Sequence, residues 1–329
     1  MSTAADPARL GHVVAMRFGI GVFDPAWLEY RLRLFRATML PSLRCQHGHF
    51  RLVVMIDRQM PAGPRKRLEA LLSDVASASV LELELHCDRH RVLGEQGRTL
   101  ADANAWSHLV TTRIDDDDCL SPYAFAAIEN AALGLVADGH DRAGIVIDSG
   151  LRYYPIEDMA FASTEQGSSV GTSLLTLPSD PETIFSFNHR RIGEECEARG
   201  WPMHFVSRDI ASWLYLCHRY SDEHHAKRLE KLSRKRAAFR PSPDDLAGFP
   251  LDHDALRDWL DHARSVPPLT EGAKTTHRLA EVEAEIERHR ALAASQVAGD
   301  AEQRAALKEI EALHAERRRI GTLVASRRA

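Results

Sequence analysis

Short apolar runs alternate with helix-periodic stretches along the first 160 residues, and this alternation limits the fold more than any other feature of the sequence. Each run has the length of a buried strand, and each segment between runs is long enough for a crossover helix. The pattern therefore predicts an α/β fold in which a mostly parallel sheet is covered by helices. The predicted strands are 12–16, 50–56, 80–85, 108–114 and 143–147.

The first predicted helix has the clearest apolar face. Five large apolar residues recur there at intervals of three or four, which places them on one side of a helix that packs on the sheet. We expect Pro41 to disturb the last turn of this helix. A further helix is predicted over 123–135, directly after Ser121 and Pro122. The apolar residues of the first helix are Leu28, Leu32, Phe35, Met39 and Leu43.

The remaining chain differs in composition from this first part. Residues 156–200 combine Gly, Ser, Thr and Pro with a strand-like piece at 172–177, which is typical of an irregular region that lines an acceptor cleft. A linker or strap with a short helix around 256–260 is predicted next. Ala, Glu, Arg and Leu then predict a helical hairpin that turns near 298–300. We expect this hairpin either to dock on the body or to support a weak homo-oligomer, because Arg317 interrupts its apolar seam.

These changes predict three units: a sheet-containing domain over 1–225, a linker over 226–275 and the hairpin over 276–329. The 42 Lys and Arg residues against 47 Asp and Glu residues give a net charge of -5, which offers no general attraction to nucleic acid. Five scattered cysteines indicate neither a disulfide framework nor a thiolate zinc site. No apolar stretch is long enough to cross a bilayer. We therefore expect a cytoplasmic protein that reaches a membrane, if at all, from its surface.

Four consecutive aspartates, 115–118, stand at the end of the fourth predicted strand. Their carboxylates repel one another, so a cation or strong hydrogen-bond donors must compensate them. Carboxylate oxygens suit a hard divalent ion such as Mg²⁺ or Mn²⁺, and ligands of open α/β sheets bind at this end of the strands. If the strand continues through the run, Asp115 and Asp117 share one face while Asp116 and Asp118 share the other. The alternative is a solvated turn or an acidic helix start.

Other phosphate and metal motifs fail on particular residues. The pair Gly19 and Gly21 lacks the third glycine of a dinucleotide fingerprint. A calcium loop that begins at Asp115 would need glycine at Leu120, and a phospho-aspartate motif would need threonine at Cys119. A bound nucleotide would therefore be held by carboxylates, cations and a metal ion.

In order along the chain, a set of segments resembles the landmarks of GT-A-fold glycosyltransferases. More narrowly, the sequence resembles the putative rhamnosyltransferase family over residues 10–220. The resemblance implies a GT-A-like sheet and a metal-dependent transfer of a sugar, rhamnose among the candidates, from a nucleoside-diphosphate sugar to a saccharide or other hydroxyl acceptor. The GT-A landmarks are 42–46, 50–57, 97–98 and 114–122, and those of the narrower family are 12–21, 27–28, 40–43 and 111–118.

The resemblance also implies roles for single residues. Asp57 would contact the base or ribose, and Asp115 would hold the ribose or a metal-bound water. Asp117 would bind Mn²⁺ or Mg²⁺, and His218 would complete the metal shell with Asp115. Residues 219–222 depart from the family there, since they provide neither the glycine nor the asparagine expected after the histidine.

Cations and further polar groups complete the predicted donor site. Arg17 and Arg98 are the expected cations near the nucleotide, and Arg113 and Asp116 from the aspartate motif are added as nucleotide contacts. The alternative for each arginine is an ordinary surface ion pair.

The catalytic base has several candidates, because transfer with inversion needs a carboxylate that deprotonates the acceptor hydroxyl. Asp148 follows the fifth predicted strand and would also shape the acceptor cleft. Asp209 lies shortly before Trp213, where it is equally well explained as a helix N-cap. Asp158 is a third candidate.

Two other functions stay open from the sequence. A nucleotidyltransferase that makes a nucleotide-sugar would use paired aspartates on a similar fold, although this chain lacks its glycine-rich, lysine-containing loop. A catalytically degenerate nucleotide-sugar-binding module would bind the nucleotide without turnover, and its C-terminal helices would then serve assembly.

Overall fold

The computed structural model describes residues 9–22, 24–75, 77–84, 89–164, 170–218, 225–265, 271–294 and 300–326. Within these residues the chain forms a mixed α/β structure with one seven-stranded and one four-stranded sheet. The strand order of the larger sheet is β10-β6-β9-β4-β1-β2-β3, and that of the smaller sheet is β5-β11-β7-β8.

The strands are β1 (Leu10–Phe18), β2 (Phe50–Asp57), β3 (Ala78–Leu83), β4 (His108–Asp115), β5 (Cys119–Leu120), β6 (Ala143–Ile147), β7 (Ser149–Tyr154), β8 (Met159–Thr164), β9 (Thr172–Thr176), β10 (Met203–Val206) and β11 (Trp213–Leu216). The helices are α1 (Pro25–Ala37), α2 (Met39–Arg44), α3 (Ala62–Leu72), α4 (Arg89–Asn104), α5 (Ala124–Ala137), α6 (Ile192–Ala198), α7 (His225–Ser233), α8 (Pro243–Leu246), α9 (His253–Ser265), α10 (Glu271–Ala293) and α11 (Asp300–Ser326).

All five predicted strands are confirmed as β1, β2, β3, β4 and β6. The first four are parallel neighbours, and β6 is parallel to β10. The piece predicted at 172–177 is also a strand, β9, which lies antiparallel between β4 and β6. Because β4 and β6 are both antiparallel to β9, they run in the same direction. The carboxyl ends of β1, β4, β6 and β10 therefore lie along one edge of the sheet.

Helices cover both faces of this sheet. Val14 and Met16 of β1 belong to a buried cluster with residues of α1, α2, α3 and α5. Val13 and Ala15, which point to the opposite face, pack with Leu93 of α4. A sheet that is apolar on both faces explains why its strands read as continuous apolar runs rather than as alternating ones.

The first predicted helix is broken, but not at the predicted place. It ends at Ala37, and Thr38 adopts φ -125° and ψ -82° before α2 begins. The Thr38 hydroxyl donates to the carbonyl oxygen of Leu34 at 2.9 Å, which competes with continuation of the helix. Pro41 stands in the first turn of α2, where its missing N–H costs nothing.

The segment after β11 contains the short helix predicted around 256–260, and this helix is α9. Its Trp259 is fully buried and packs at a centroid distance of 5.4 Å on Tyr30 of α1. The same apolar cluster includes Leu151 of β7 and Leu214 of β11. Helix α9 therefore joins the smaller sheet to α1.

The predicted C-terminal helical hairpin is present as α10 and α11. Val282, Ile286 and Leu313 form its buried seam. Arg317, which interrupts the seam in the sequence, pairs with Glu283 of the opposite helix at 3.0 Å. Most of the predicted turn near 298–300 lies outside the described residues. No helix in the described part of the chain is long and apolar enough to cross a bilayer.

Candidate functional site

The aspartate run forms a tight turn at the carboxyl end of β4. The strand ends at Asp115, Asp116 and Asp117 are in a turn, and Asp118 leads into β5. The predicted alternation of faces through Asp118 is therefore wrong, because alternation requires extended backbone and the strand stops one residue into the run. Asp116 and Asp117 instead point toward the same partner, Arg31 of α1.

Arg31 is the cation that compensates this turn. Its guanidinium donates through Nε to Asp116 Oδ2 at 3.0 Å and through Nη2 to Asp116 Oδ1. Nη1 donates to Asp117 Oδ2 at 2.5 Å. The side chains of Arg31, Asp116 and Asp117 are only 9%, 6% and 11% exposed. The sequence analysis did not identify Arg31. The signal that could have found it is an arginine between the apolar positions of α1, a helix that is buried on two sides.

His218 lies next to Asp117, as the predicted metal site requires. It follows strand β11 by two residues, and its Nε2 lies 2.8 Å from Asp117 Oδ2 and 3.2 Å from Arg31 Nη1. Its Nδ1 lies 3.1 Å from the hydroxyl of Tyr30, which also packs on Trp259. Residues 219–222, where the sequence departs from the family pattern, are outside the described part of the chain.

Burial and shared charge separate the pKa values of the three inner aspartates. Burial would raise the pKa of Asp117, but Arg31 and His218 outweigh it and hold that pKa well below its usual range. Burial raises the pKa of Asp116 to about 6 against the opposing effect of Arg31. Burial and the charges of Asp117 and Asp115 raise the pKa of Asp118 well above normal.

Asp118 ties the turn to the smaller sheet. Its Oδ1 accepts a hydrogen bond from the backbone N–H of Leu216 at 3.2 Å, and β5 pairs with β11 beside it. Its Oδ2 is buried without a hydrogen-bond partner. Asp118 thus has a structural role that fixes where β11 delivers His218.

Asp115 belongs to a second, cationic group on the other side of the sheet edge. It is the residue opposite Arg17 in the β1–β4 pairing, and its Oδ1 lies 3.5 Å from Arg113 Nη2. Arg17 and Arg113 both stack on Phe185, at 5.7 and 5.5 Å from the ring centroid. The structure therefore brings together three of the predicted nucleotide contacts. Phe185 had no signal in the sequence.

His189 adjoins this group and stays uncharged at neutral pH. Its Nδ1 lies 3.1 Å from Arg113 Nη1. Burial, reinforced by the charge of Arg113, lowers the pKa of His189 to about 4. A neutral imidazole can accept a hydrogen bond from the guanidinium, so His189 orients Arg113 without adding charge.

Asp57 lies at the carboxyl end of β2, and Arg98 lies on α4. Asp57 is buried, and its carboxylate accepts hydrogen bonds from the backbone N–H groups of Gly21 at 3.2 Å and Gln59 at 2.8 Å. It thus fixes the loop after β1, where Gly19 and Gly21 have positive φ. Arg98 is half-buried on α4.

The candidate bases differ in their surroundings. Asp148 follows β6 and lines a cavity of about 820 Å³, with Phe205, Arg208 and Arg236 among its other walls. Asp209 is in an exposed turn before β11, so the predicted helix N-cap at this position is wrong. The backbone N–H of Asp209 donates to the Ser207 hydroxyl at 3.2 Å within this turn. Asp158 forms an ion pair with Arg240.

Among the described residues, no three His, Cys, Asp or Glu side chains form a group ready to bind a metal ion. Asp117 and His218 are in contact, whereas Asp115 faces Arg113. The structure therefore brings together two of the three predicted metal ligands, Asp117 and His218.

A family model described as putative rhamnosyl transferase matches residues 16–204, more than half of the chain. The chain belongs to the putative rhamnosyl transferase family. The match includes Arg17, Arg31, Asp57, the aspartate turn and Asp148. The turn and the arginines around it therefore lie inside the matched region. It ends before His218.

Other comparisons give more distant likenesses. No curated protein matches the chain. A structure of Staphylococcus aureus TarS 1–349 in complex with UDP-GlcNAc is 11% identical, with a TM-score of 0.37, over 91% of this chain and 80% of that chain. A putative glucose-1-phosphate thymidylyltransferase from Bacillus anthracis in complex with a sucrose is 9% identical, with a TM-score of 0.35, over 78% of this chain and 96% of that chain. Neither likeness identifies an activity.

Proposed function

We propose that this member of the putative rhamnosyl transferase family transfers a sugar, rhamnose among the candidates, from a nucleoside diphosphate to an acceptor hydroxyl group. The observation that carries the proposal is the aspartate turn at the carboxyl end of β4, flanked by Arg17 and Arg113 on one side and by Arg31 and His218 on the other. Ligands of open α/β sheets bind at this edge.

The cationic group suits the diphosphate of the donor. Arg17 and Arg113 converge on Phe185 beside Asp115, and guanidinium groups bind phosphate oxygens through paired hydrogen bonds. As the anomeric bond breaks, negative charge grows on the leaving diphosphate. Fixed cations in a partly buried site stabilise that charge.

The aspartate turn fits a divalent cation. Asp117 and His218 are neighbours, with Oδ2 and Nε2 2.8 Å apart, and Arg31 also binds Oδ2, which leaves Oδ1 of Asp117 for an ion. Tyr30 contacts the other ring nitrogen of His218, and such a partner commonly orients a metal-binding histidine. Asp117 and His218 would hold Mn²⁺ or Mg²⁺, with Asp115 nearby. The ion would supply electrostatic stabilisation of the diphosphate.

Asp148 is the base that we propose. It lies at the same edge of the sheet as Asp115 and lines a cavity of about 820 Å³, which is large enough for a sugar. In the proposed reaction the acceptor oxygen bonds to the anomeric carbon while the bond from that carbon to the diphosphate breaks. The hydroxyl proton passes to the carboxylate of Asp148.

The test replaces Asp117 by Asn, with Asp138→Asn on the exposed end of α5 as a matched control. We expect Asp117→Asn to lower the rate of donor consumption at least about 100-fold, since one electrostatic contact to the transition state commonly has this effect. Release of nucleoside diphosphate from candidate nucleotide-sugars measures the rate. Full activity in a folded Asp117→Asn variant would contradict the proposal.

A further inference from the structure

One guanidinium holds two neighbouring carboxylates of the aspartate turn in different ways. Asp116 uses both of its oxygens for Arg31, through Nε and Nη2. Asp117 uses only Oδ2, which accepts from Nη1 at 2.5 Å. Asp116 is therefore fully engaged by Arg31, whereas Asp117 keeps one oxygen for another partner.

The second oxygen of Asp117 is the accessible one. All contacts of Asp117 with the described residues fall on Oδ2, from Arg31 and from His218. Oδ1 is not among the buried atoms that lack a partner. The contacts to Oδ2 fix the rotation of the carboxylate, so the direction in which Oδ1 points is set by Arg31.

The geometry requires an arginine rather than any cation. Three nitrogens of one rigid, planar group reach two adjacent side chains at once, which the single ammonium of a lysine cannot reproduce. The group is also almost completely buried, so its charge acts on the two carboxylates with little screening by solvent. Helix α1 is in turn fixed from behind by Trp259 of α9.

We propose that Arg31 is a positioning residue that sets the orientation of the Asp117 carboxylate for binding of a divalent cation and the donor diphosphate. This inference rests on the proposed function. Partners that orient a ligand from outside the coordination shell commonly change metal affinity roughly 10–100-fold when they are replaced.

The experiment measures Mn²⁺ binding by electron paramagnetic resonance, for the full chain with UDP, GDP or dTDP. A separate calorimetric titration measures the binding of each diphosphate with and without Mn²⁺. The variant is Arg31→Lys, which keeps the charge. Its matched control is Arg33→Lys on the same helix, where Arg33 is 45% exposed and pairs with Glu29 at 2.8 Å. Circular dichroism and thermal unfolding verify that both variants fold.

We expect Arg31→Lys to weaken Mn²⁺ binding in the diphosphate complex about tenfold or more, and Arg33→Lys to leave it unchanged. Unchanged Mn²⁺ affinity in Arg31→Lys would overturn the positioning role, and tighter binding would show instead that Arg31 competes with the ion. If the wild type binds a diphosphate equally well without Mn²⁺, or binds none, the metal-dependent proposed function fails and this inference fails with it.

A second variant covers the case in which Arg31→Lys does not fold. Arg31→Gln combined with Asp116→Asn removes both charges of the buried pair and avoids an uncompensated carboxylate at position 116. The double variant should lose Mn²⁺ affinity to the same extent. Wild-type Mn²⁺ affinity in the double variant would overturn the inference.

Discussion

At the scale of single residues, the aspartate turn shows how adjacent carboxylates are tolerated in a protein interior. The four carboxylates share three partners: Arg113 for Asp115, Arg31 for both Asp116 and Asp117, and the N–H of Leu216 for Asp118. Two of these partners belong to strands of different sheets, and the third belongs to α1. The turn therefore joins β4, α1 and β11. Its charge is compensated unevenly, because arginines bind Asp115, Asp116 and Asp117 whereas an N–H group binds Asp118.

His189 gives a pH-dependent prediction at the same scale. Its pKa in the folded protein is about 4, below the usual value for histidine of about 6.5, because of burial and the charge of Arg113. Between these two values the unfolded chain binds more protons than the folded one, so this residue lowers stability as the pH falls from 6.5 toward 4. Titration of the His189 ring followed by NMR should give a midpoint near 4.

The control for this titration is Arg113→Met, which removes the nearest charge. Its His189 midpoint should move upward, although burial keeps it below the usual value. A wild-type midpoint near 6.5 would contradict the buried, Arg113-facing position of His189.

At the scale of elements, helix α9 supports the candidate site by packing behind it. Trp259 contacts Tyr30 at 5.4 Å and His218 at 6.0 Å between ring centroids. These are the residues that place α1 and the predicted metal ligand. The segment that reads as a strap in the sequence thus lies directly behind the aspartate turn.

Replacing Trp259 by Ala should therefore lower the free energy of unfolding by about 3–5 kcal/mol, the usual cost of removing a large buried aromatic side chain. Urea denaturation followed by circular dichroism measures the change. Asp258→Ala, at the exposed neighbouring position, serves as the control. A loss below about 1 kcal/mol for Trp259→Ala would mean that α9 does not pack on α1 as described.

The strands of the larger sheet could be predicted from sequence because burial on both faces makes them continuous apolar runs. Strand β9 was recognised as strand-like, but its antiparallel place between β4 and β6 depends on contacts distant in sequence. The sequence pattern predicts a disturbance of this helix at Pro41, whereas the helix breaks at Thr38, whose hydroxyl binds the carbonyl oxygen of Leu34. Local sequence patterns thus identify helices and strands more reliably than they identify where each one ends or which strands lie next to each other in the sheet.

The candidate site was predictable where charge density is visible in the sequence, as in the aspartate run. The partners of the aspartates were not predictable, because Arg31 is 85 and 86 residues away from Asp116 and Asp117 along the chain and reaches the turn only when α1 packs on the sheet. Phe185 and His189 come from an irregular region without periodicity, so no pattern marked them.

At the scale of the whole molecule, the sheet edge separates two candidate binding regions. The aspartate turn and the Arg17–Arg113 group lie at the ends of β1 and β4, and the cavity lined by Asp148 lies at the ends of β6 and β10. Donor and acceptor would thus meet across β9. The helical hairpin has its own buried seam at the C-terminal end of the chain.

The measurement that tests the central claim most directly is thermal unfolding with a panel of nucleoside diphosphates and nucleotide-sugars, each with and without Mn²⁺. A ligand that binds only the folded protein stabilises it by about 2.7 kcal/mol at about 100 times its dissociation constant. The account predicts a stabilisation with one base that requires Mn²⁺ and disappears in Asp117→Asn. A folded sample that shows no shift with any diphosphate would contradict the account.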